Sequence, residues 1–163
     1  VPKKLPVPGF NKTITFEELL TGDKDPGDKI VFFGGGQSAC EAAYELVLQG
    51  KHPIIVEYAN DLIATPGTCL ANASFLREML VFKKVPIYLE HSICEIGDGY
   101  VMVKPRSGGD AFKVECDAVV NGLGFRPAPV APEGKHVHQV GTAAKWGNLR
   151  NVIWGAWDVC MKI

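Results

Sequence analysis

The spacing of apolar positions changes from block to block along the chain. Lys29 to Phe33 (KIVFF) is a continuous apolar run rich in β-formers that stops at Gly34-Gly35-Gly36. Such a run predicts a strand buried on both faces of a parallel sheet. From Gln37 to Gln49 the residues Ala39, Ala42, Ala43, Leu46 and Val47 recur at helical spacing, and Gly50 follows. That pattern predicts an amphipathic helix closed by a glycine cap. His52 to Glu57 (HPIIVE) reads as a second short strand. Strand, helix and strand within about 30 residues form a βαβ unit with parallel strands and a right-handed crossover.

Past a polar loop through Pro66 and Gly67, residues Ala73 to Phe82 carry Phe75, Leu76, Met79, Leu80 and Phe82. This stripe predicts a helix whose apolar side chains all enter the core. Val85 to Leu89 reads as a third strand. Residues 92–117 then change character, with three short alternating runs joined by Gly-Asp-Gly and Ser-Gly-Gly turns, which predicts an antiparallel meander. Asp117 to Gly122 returns to an apolar strand that enters a second glycine-containing turn, Gly122-Leu123-Gly124. Beyond a proline-rich loop a strand is expected at Val137 to Val140 and a helix at Asn151 to Ile163. The first 28 residues are proline-rich, then acidic and partly helical (TFEELLTG), then turn-rich, and are expected to add little to the core.

Composition narrows the classes. The chain has 163 residues, 47% hydrophobic and 21% charged, enough for one ordinary packed domain. Seventeen basic residues against 18 acidic ones leave no net field for a phosphate backbone or an anionic membrane surface. No apolar run approaches the roughly 18 residues of a membrane helix, and no signal peptide opens the chain, so a cytoplasmic protein is expected. Cys40, Cys69, Cys94, Cys116 and Cys160 contain no C-x-x-C pair and read as reduced, mostly buried thiols. His136 and His138 form an i, i+2 pair without a third ligand at useful spacing, so no metal site is expected. Trp146, Trp154 and Trp157 cluster near the C-terminus, which fits either burial or a surface that packs on a neighbour.

The chemistry lies in the first glycine turn. Gly34-Gly35-Gly36-Gln37-Ser38-Ala39 fits G-x-G-x-x-G/A, follows a strand, opens a helix, and has Glu57 ending the next strand at the spacing of a dinucleotide fingerprint. Gly34 permits the tight turn, Gly36 lets the backbone approach a pyrophosphate, and Ala39 lets the helix pack closely on its strand. The helix N-terminus then meets the phosphates. Glu57 would accept hydrogen bonds from the adenosine ribose and repel a 2′-phosphate, and residues 58–63, starting at Tyr58, supply no Arg or Lys. NAD(H) is therefore expected over NADP(H). The expected cofactor contacts are Gly34, Gly35, Gly36, Gln37, Ser38, Glu57, Tyr58, Gly122, Leu123 and Gly124. The fold expected is α/β and Rossmann-like: a central parallel sheet with helices and an added antiparallel three-stranded meander. A purely structural glycine turn and a stand-alone NAD(H)-binding regulatory module are the competing readings.

These residues resemble the nicotinamide-binding domain of flavoproteins built from two dinucleotide-binding domains, and most closely the NADH:flavin oxidoreductases of the 2,4-dienoyl-CoA reductase and old-yellow-enzyme-like type. GDKIVFFGGGQSACEAAYEL resembles the stretch that opens that domain, with Gly34, Gly36, Ala39 and Glu41 at its motif positions. DAVVNGLGFRP, from Asp117 to Pro127, is similar to the turn that ends it. PKKLPVPG resembles the crossover from the flavin domain, and Val140-Gly141-Thr142 sits where the family re-enters it, with Thr142 in place of an aspartate. The resemblance implies residues 1–28 as a connecting segment, 29–127 as the NAD(H)-binding domain and 128–163 as a return segment toward the flavin domain. It implies an excised piece of a larger enzyme, with FAD and a candidate second flavin, FMN, held by a missing flavin domain and barrel. The domain's task would be to position NADH for hydride transfer to flavin, with no acid, base or nucleophile of its own and no catalytic competence alone. A disulfide-reductase-type parent shares the same fold.

Overall fold

The computed structural model describes every residue except Pro66, Glu133 and Ile163. The described residues form two compact units, Lys4–Gly124 and a smaller one made of Val1–Lys3 with Phe125–Ile163.

The larger unit is built on a parallel sheet. Its strands are β1 (Lys29–Phe33), β2 (His52–Val56), β3 (Ile87–Tyr88) and β7 (Ala118–Asn121), in the order β3-β2-β1-β7. The helix α2 (Gln37–Leu48) connects β1 to β2, and α3 (Leu70–Phe82) connects β2 to β3. The expected meander is present as β4 (His91–Ile96), β5 (Tyr100–Pro105) and β6 (Phe112–Glu115), an antiparallel sheet in that order.

The continuous apolar run of β1 is explained by what covers its two faces. Ile30 and Phe32 pack among Ala39, Cys40, Ala43 and Leu46 of α2 and Leu76 and Leu80 of α3. Val31 and Phe33 pack among Ile93, Val101, Val103 and Val114 of the meander. Helices thus close one face of the parallel sheet and the meander closes the other, so no residue of the run except Lys29 meets solvent. This is the α/β, Rossmann-like arrangement expected from the pattern.

Several local expectations are corrected. The first 28 residues do supply core: Ile14 and Phe16 are buried beside Ile30 and Phe32. Ile14 extends the sheet next to β7, donating its N–H to the Val119 carbonyl at 2.8 Å and accepting from Asn121 N–H at 2.9 Å. The acidic helix that follows, α1 (Phe16–Thr21), opens on a capping box between Thr15 and Glu18, which satisfies otherwise orphaned N–H groups at its start. In α3 only Ala73, Leu76 and Leu80 are buried, while Phe75 is 51% and Phe82 74% exposed. The helix carries two apolar stripes, and periodicity alone does not say which one meets the sheet. Phe75 rests edge-on against Tyr44 of α2, ring centroids 5.7 Å apart. β3 is shorter than the expected Val85 to Leu89, since only Ile87 and Tyr88 pair, with Ile55 and Val56 at the end of β2.

In the smaller unit Pro2 bridges Phe125 in antiparallel fashion, and Val1 and Arg126 exchange backbone hydrogen bonds of 2.9 and 3.0 Å. The strand expected at Val137 to Val140 is absent. Val137 instead exchanges hydrogen bonds with Gly134 across a tight turn, at 3.0 and 3.2 Å, and the chain passes into a 3-10 turn at Gly141–Ala143. A short run without a partner strand cannot satisfy its backbone groups as a strand. The last helix, α4 (Leu149–Cys160), starts two residues before the expected Asn151 because Asn148 and Asn151 form a reciprocal cap. Ile163, in the expected helix end, and Pro66, in the expected loop, lie outside the described residues. Trp146, Trp154 and Trp157 are all more than half exposed, and Trp146 stacks on Phe125 at 5.6 Å.

Candidate nucleotide-binding site

Parallel pairing of β1 with β2 and β7 in register brings three chain ends to one edge of the sheet: Gly34 after β1, Glu57 after β2 and Gly122 after β7. Ligands of open α/β sheets sit outside the carboxyl ends of such strands. The two glycine turns touch, because a β-carbon on Gly34 would fall 2.7 Å from the Gly122 carbonyl oxygen and one on Gly122 would fall 2.8 Å from the Gly34 oxygen. Gly34 also holds φ of +109°, which side chains rarely adopt. Ala39 fits beneath this junction, fully buried.

The three glycines of the first turn have separate roles. Gly35 is enclosed: its N–H donates to Glu57 Oε2 at 2.5 Å, its carbonyl accepts from Ile63 N–H at 2.9 Å, and the Leu62 side chain occupies the space a β-carbon would need. Its polar groups are therefore already used within the protein. Gly36 is different. Its φ of −67° and ψ of 174° suit any residue, and nothing lies within 4 Å of where a β-carbon would be. It stands at the N-cap of α2, where no side chain caps the helix, although Ser, Asp or Asn would stabilise that position over glycine by roughly a few tenths of a kcal/mol. The first N–H groups of α2 have no intrahelical partner. Neither backbone conformation nor packing asks for glycine at 36, so the open cradle fits an approaching pyrophosphate.

Glu57 is half-buried and bridges the site, accepting from Gly35 N–H through Oε2 and from Ala59 N–H through Oε1 at 2.7 Å. Each carboxylate oxygen retains acceptor capacity for a ribose hydroxyl. Ser38 is exposed beside the open cradle. Gln37 donates from its amide to Glu41 at 2.8 Å, a helical i, i+4 pair that accounts for Glu41 at the surface. Leu123 and Gly124 complete the second turn, with Leu123 N–H donating to the Asn121 side chain at 3.3 Å. Tyr58 is exposed just past Glu57. The candidate residues thus lie along the carboxyl edge of one sheet.

Cys40 does not join the chemistry. It is fully buried with its Sγ against the Gly35 carbonyl at 3.4 Å, and burial, with Glu57 adding to it, pushes its thiol up to about 12. Desolvation here outweighs the nearby helix N-terminus.

Three features escaped the pattern of the sequence. Arg77 of α3 donates to the Leu62 carbonyl at 2.6 and 3.0 Å and pairs with Asp61 at 2.9 Å, clamping the loop that packs on Gly35. Asp117 accepts from the N–H groups of Asp28 and Lys29, both at 2.8 Å, and fastens the start of β1 to that of β7. Arg106, at the end of β5, lays its guanidinium over the Tyr58 ring, 4.1 Å from the centroid, and donates to the Tyr58 carbonyl at 3.0 Å. Arg106 and Tyr58 are separated by 48 residues, and no local signal announces the contact. Within the smaller unit, residues such as Val140, Trp146 and Val159 line a concavity of about 270 Å³.

A family model described as pyridine nucleotide-disulphide oxidoreductase matches residues 1–149. The chain belongs to that family. Oxidoreductase chemistry with FAD and a nicotinamide nucleotide is the setting this membership implies. Cinnamate reductase of Clostridium sporogenes is similar, 29% identical over 169 residues, which take in 99% of this chain and 25% of that protein. Among solved structures, a 2-naphthoyl-CoA reductase in complex with 2-naphthoyl-CoA shares the fold with a TM-score of 0.83 and 24% identity, over 100% of this chain and 26% of its own. The thioredoxin reductase of T. acidophilum shares it with a TM-score of 0.62 and 22% identity, over 78% of this chain and 42% of its own. The chain spans about a quarter of the length of the two reductases named first. Among the described residues no helix is long and apolar enough to cross a membrane.

Proposed function

We propose that this pyridine nucleotide-disulphide oxidoreductase domain holds NADH at the Gly34–Gly36 turn and presents it to a flavin carried by the rest of a larger enzyme, an NADH:flavin oxidoreductase of the 2,4-dienoyl-CoA reductase and old-yellow-enzyme-like type. The observation that carries the reading is Gly36, a glycine left at an uncapped helix N-terminus where neither φ nor packing requires one. The bound nucleotide supplies the hydride. The chain's own residues bind and orient it: the start of α2 takes the pyrophosphate, Glu57 accepts from the adenosine ribose, and Gly122 to Gly124 border the cradle from β7. The match to cinnamate reductase along nearly the whole chain supports a parent that reduces an activated alkene. The fold likeness extends over 100% of the chain in the 2-naphthoyl-CoA reductase but over 78% in the thioredoxin reductase, which counts against a disulfide-reductase parent.

Gly36→Val tests the reading. Nothing lies within 4 Å of a β-carbon at position 36, so the circular dichroism spectrum should stay that of the parent chain, with stability lowered by no more than the roughly 1 kcal/mol that valine costs at an N-cap, while saturable NADH binding by calorimetry is lost. Unchanged NADH affinity in the folded variant overturns the proposal.

A further inference from the structure

The absence of Arg or Lys from residues 58–63 argues for NADH over NADPH, yet tertiary structure delivers a cation to that place. Ala59 N–H donates to Glu57 Oε1 at 2.7 Å, and the Tyr58 carbonyl accepts from Arg106 Nη1 at 3.0 Å. These are the two polar atoms of one peptide unit, and in a trans peptide they point to opposite edges. The carboxylate and the guanidinium therefore flank the same peptide, no more than about 8 Å apart given standard backbone dimensions. One edge offers an acceptor for ribose hydroxyls and the other an exposed planar cation suited to a phosphate.

Arg106 is fixed in that position. Its own N–H donates to the Glu90 carbonyl at 2.8 Å, Glu90 N–H donates to the Ala59 carbonyl at 2.9 Å, and its guanidinium rests on the exposed Tyr58 ring. A cation held over an aromatic face loses less freedom when it binds an anion than one on a free stem. Glu57, for its part, already accepts two backbone N–H groups, which offset part of the repulsion it would exert on a neighbouring anion.

We infer that Arg106 is a specificity-determining residue that gives the ribose 2′-phosphate a counter-charge, so that the site accepts NADPH as well as NADH. The inference rests on the nucleotide reading above and adds to it a residue from the β5–β6 turn of the meander. The meander then has a role in cofactor choice besides covering the sheet.

The test is calorimetric titration of the 163-residue chain and of Arg106→Gln and Arg106→Lys with NADH and with NADPH. The unsubstituted chain should bind both within about tenfold of each other, and Arg106→Gln should weaken NADPH at least about tenfold, the loss of one charge-assisted hydrogen bond. NADH affinity should move by less than about twofold, and Arg106→Lys should keep most NADPH affinity because the charge remains. Higher ionic strength should weaken NADPH more than NADH. Binding of NADH without NADPH, or equal losses of both in Arg106→Gln, overturns the role of Arg106 and leaves the nucleotide site standing. Binding of neither nucleotide by the unsubstituted chain overturns both.

Discussion

At Gly34 a β-carbon would strike the Gly122 carbonyl, at Gly35 it would strike Leu62, and at Gly36 it would meet open space. Three identical letters in the sequence therefore answer to a turn, to packing and, at Gly36, to the proposed pyrophosphate. The cysteines divide in the same way. Burial raises the thiols of Cys40 and Cys116 to about 12 and about 11, whereas Cys69 and Cys160 are exposed. A thiol that stays protonated and covered does not react, since the thiolate is the nucleophile. Maleimide at pH 8 should label Cys69 and Cys160 within minutes and reach Cys40 and Cys116 only after denaturation, as read by peptide mass spectrometry. Fast labelling of Cys40 in the folded chain would contradict this burial. The glycine signature of the site was plain in the sequence because it is local. Arg106 was not, because its relation to Tyr58 exists only once the meander has folded.

Between elements, the start of the sheet depends on one carboxylate. The backbone N–H groups of Lys29 and Asp28, in that order, hold Asp117 below the usual carboxylate range. A carboxyl whose folded value is depressed contributes stability that is present above its unfolded value near 4 and is lost as pH falls through the folded value. Asp117→Asn should therefore be less stable than the parent chain at pH 7 in urea unfolding, with the gap closing as pH drops below about 4. A gap that stays constant from pH 7 to pH 3 would show that the charge is not what fastens β1 to β7. Helices α2 and α3, the meander and the parallel strands were all legible from period. What period did not decide was direction: in α3 it fits the Leu76–Leu80 stripe and the Phe75–Phe82 stripe equally, and only the sheet chooses. The run near Val137 has strand-like letters, but its backbone finds its partner three residues away at Gly134.

For the larger unit as a whole, stability comes from burying β1 between two unlike layers. Phe32 is fully buried, beside Phe16 at 6.3 Å between ring centroids and against the α2 and α3 side chains. Phe32→Ala should cost about 3–5 kcal/mol by removing transfer energy and leaving a cavity, measured as a shift of the urea midpoint. A loss below about 1 kcal/mol would mean that the core collapses around the gap. The same layering supports the site, because the helical layer presents the start of α2 and the meander presents Arg106 from the other face.

The sequence by itself determined the elements and the cradle: a buried strand, a glycine turn, a helix start and an acid at the end of the next strand are local patterns. They follow from backbone sterics and from the spacing of apolar side chains. Tertiary structure alone decided which stripe of α3 is buried, that Ile14 and Phe16 join the core, that Gly35 is spent on Glu57 and Leu62, and that Arg106 reaches Tyr58. Each of these depends on which surfaces meet across tens of residues, and contacts of that kind leave no periodicity in the chain to be read.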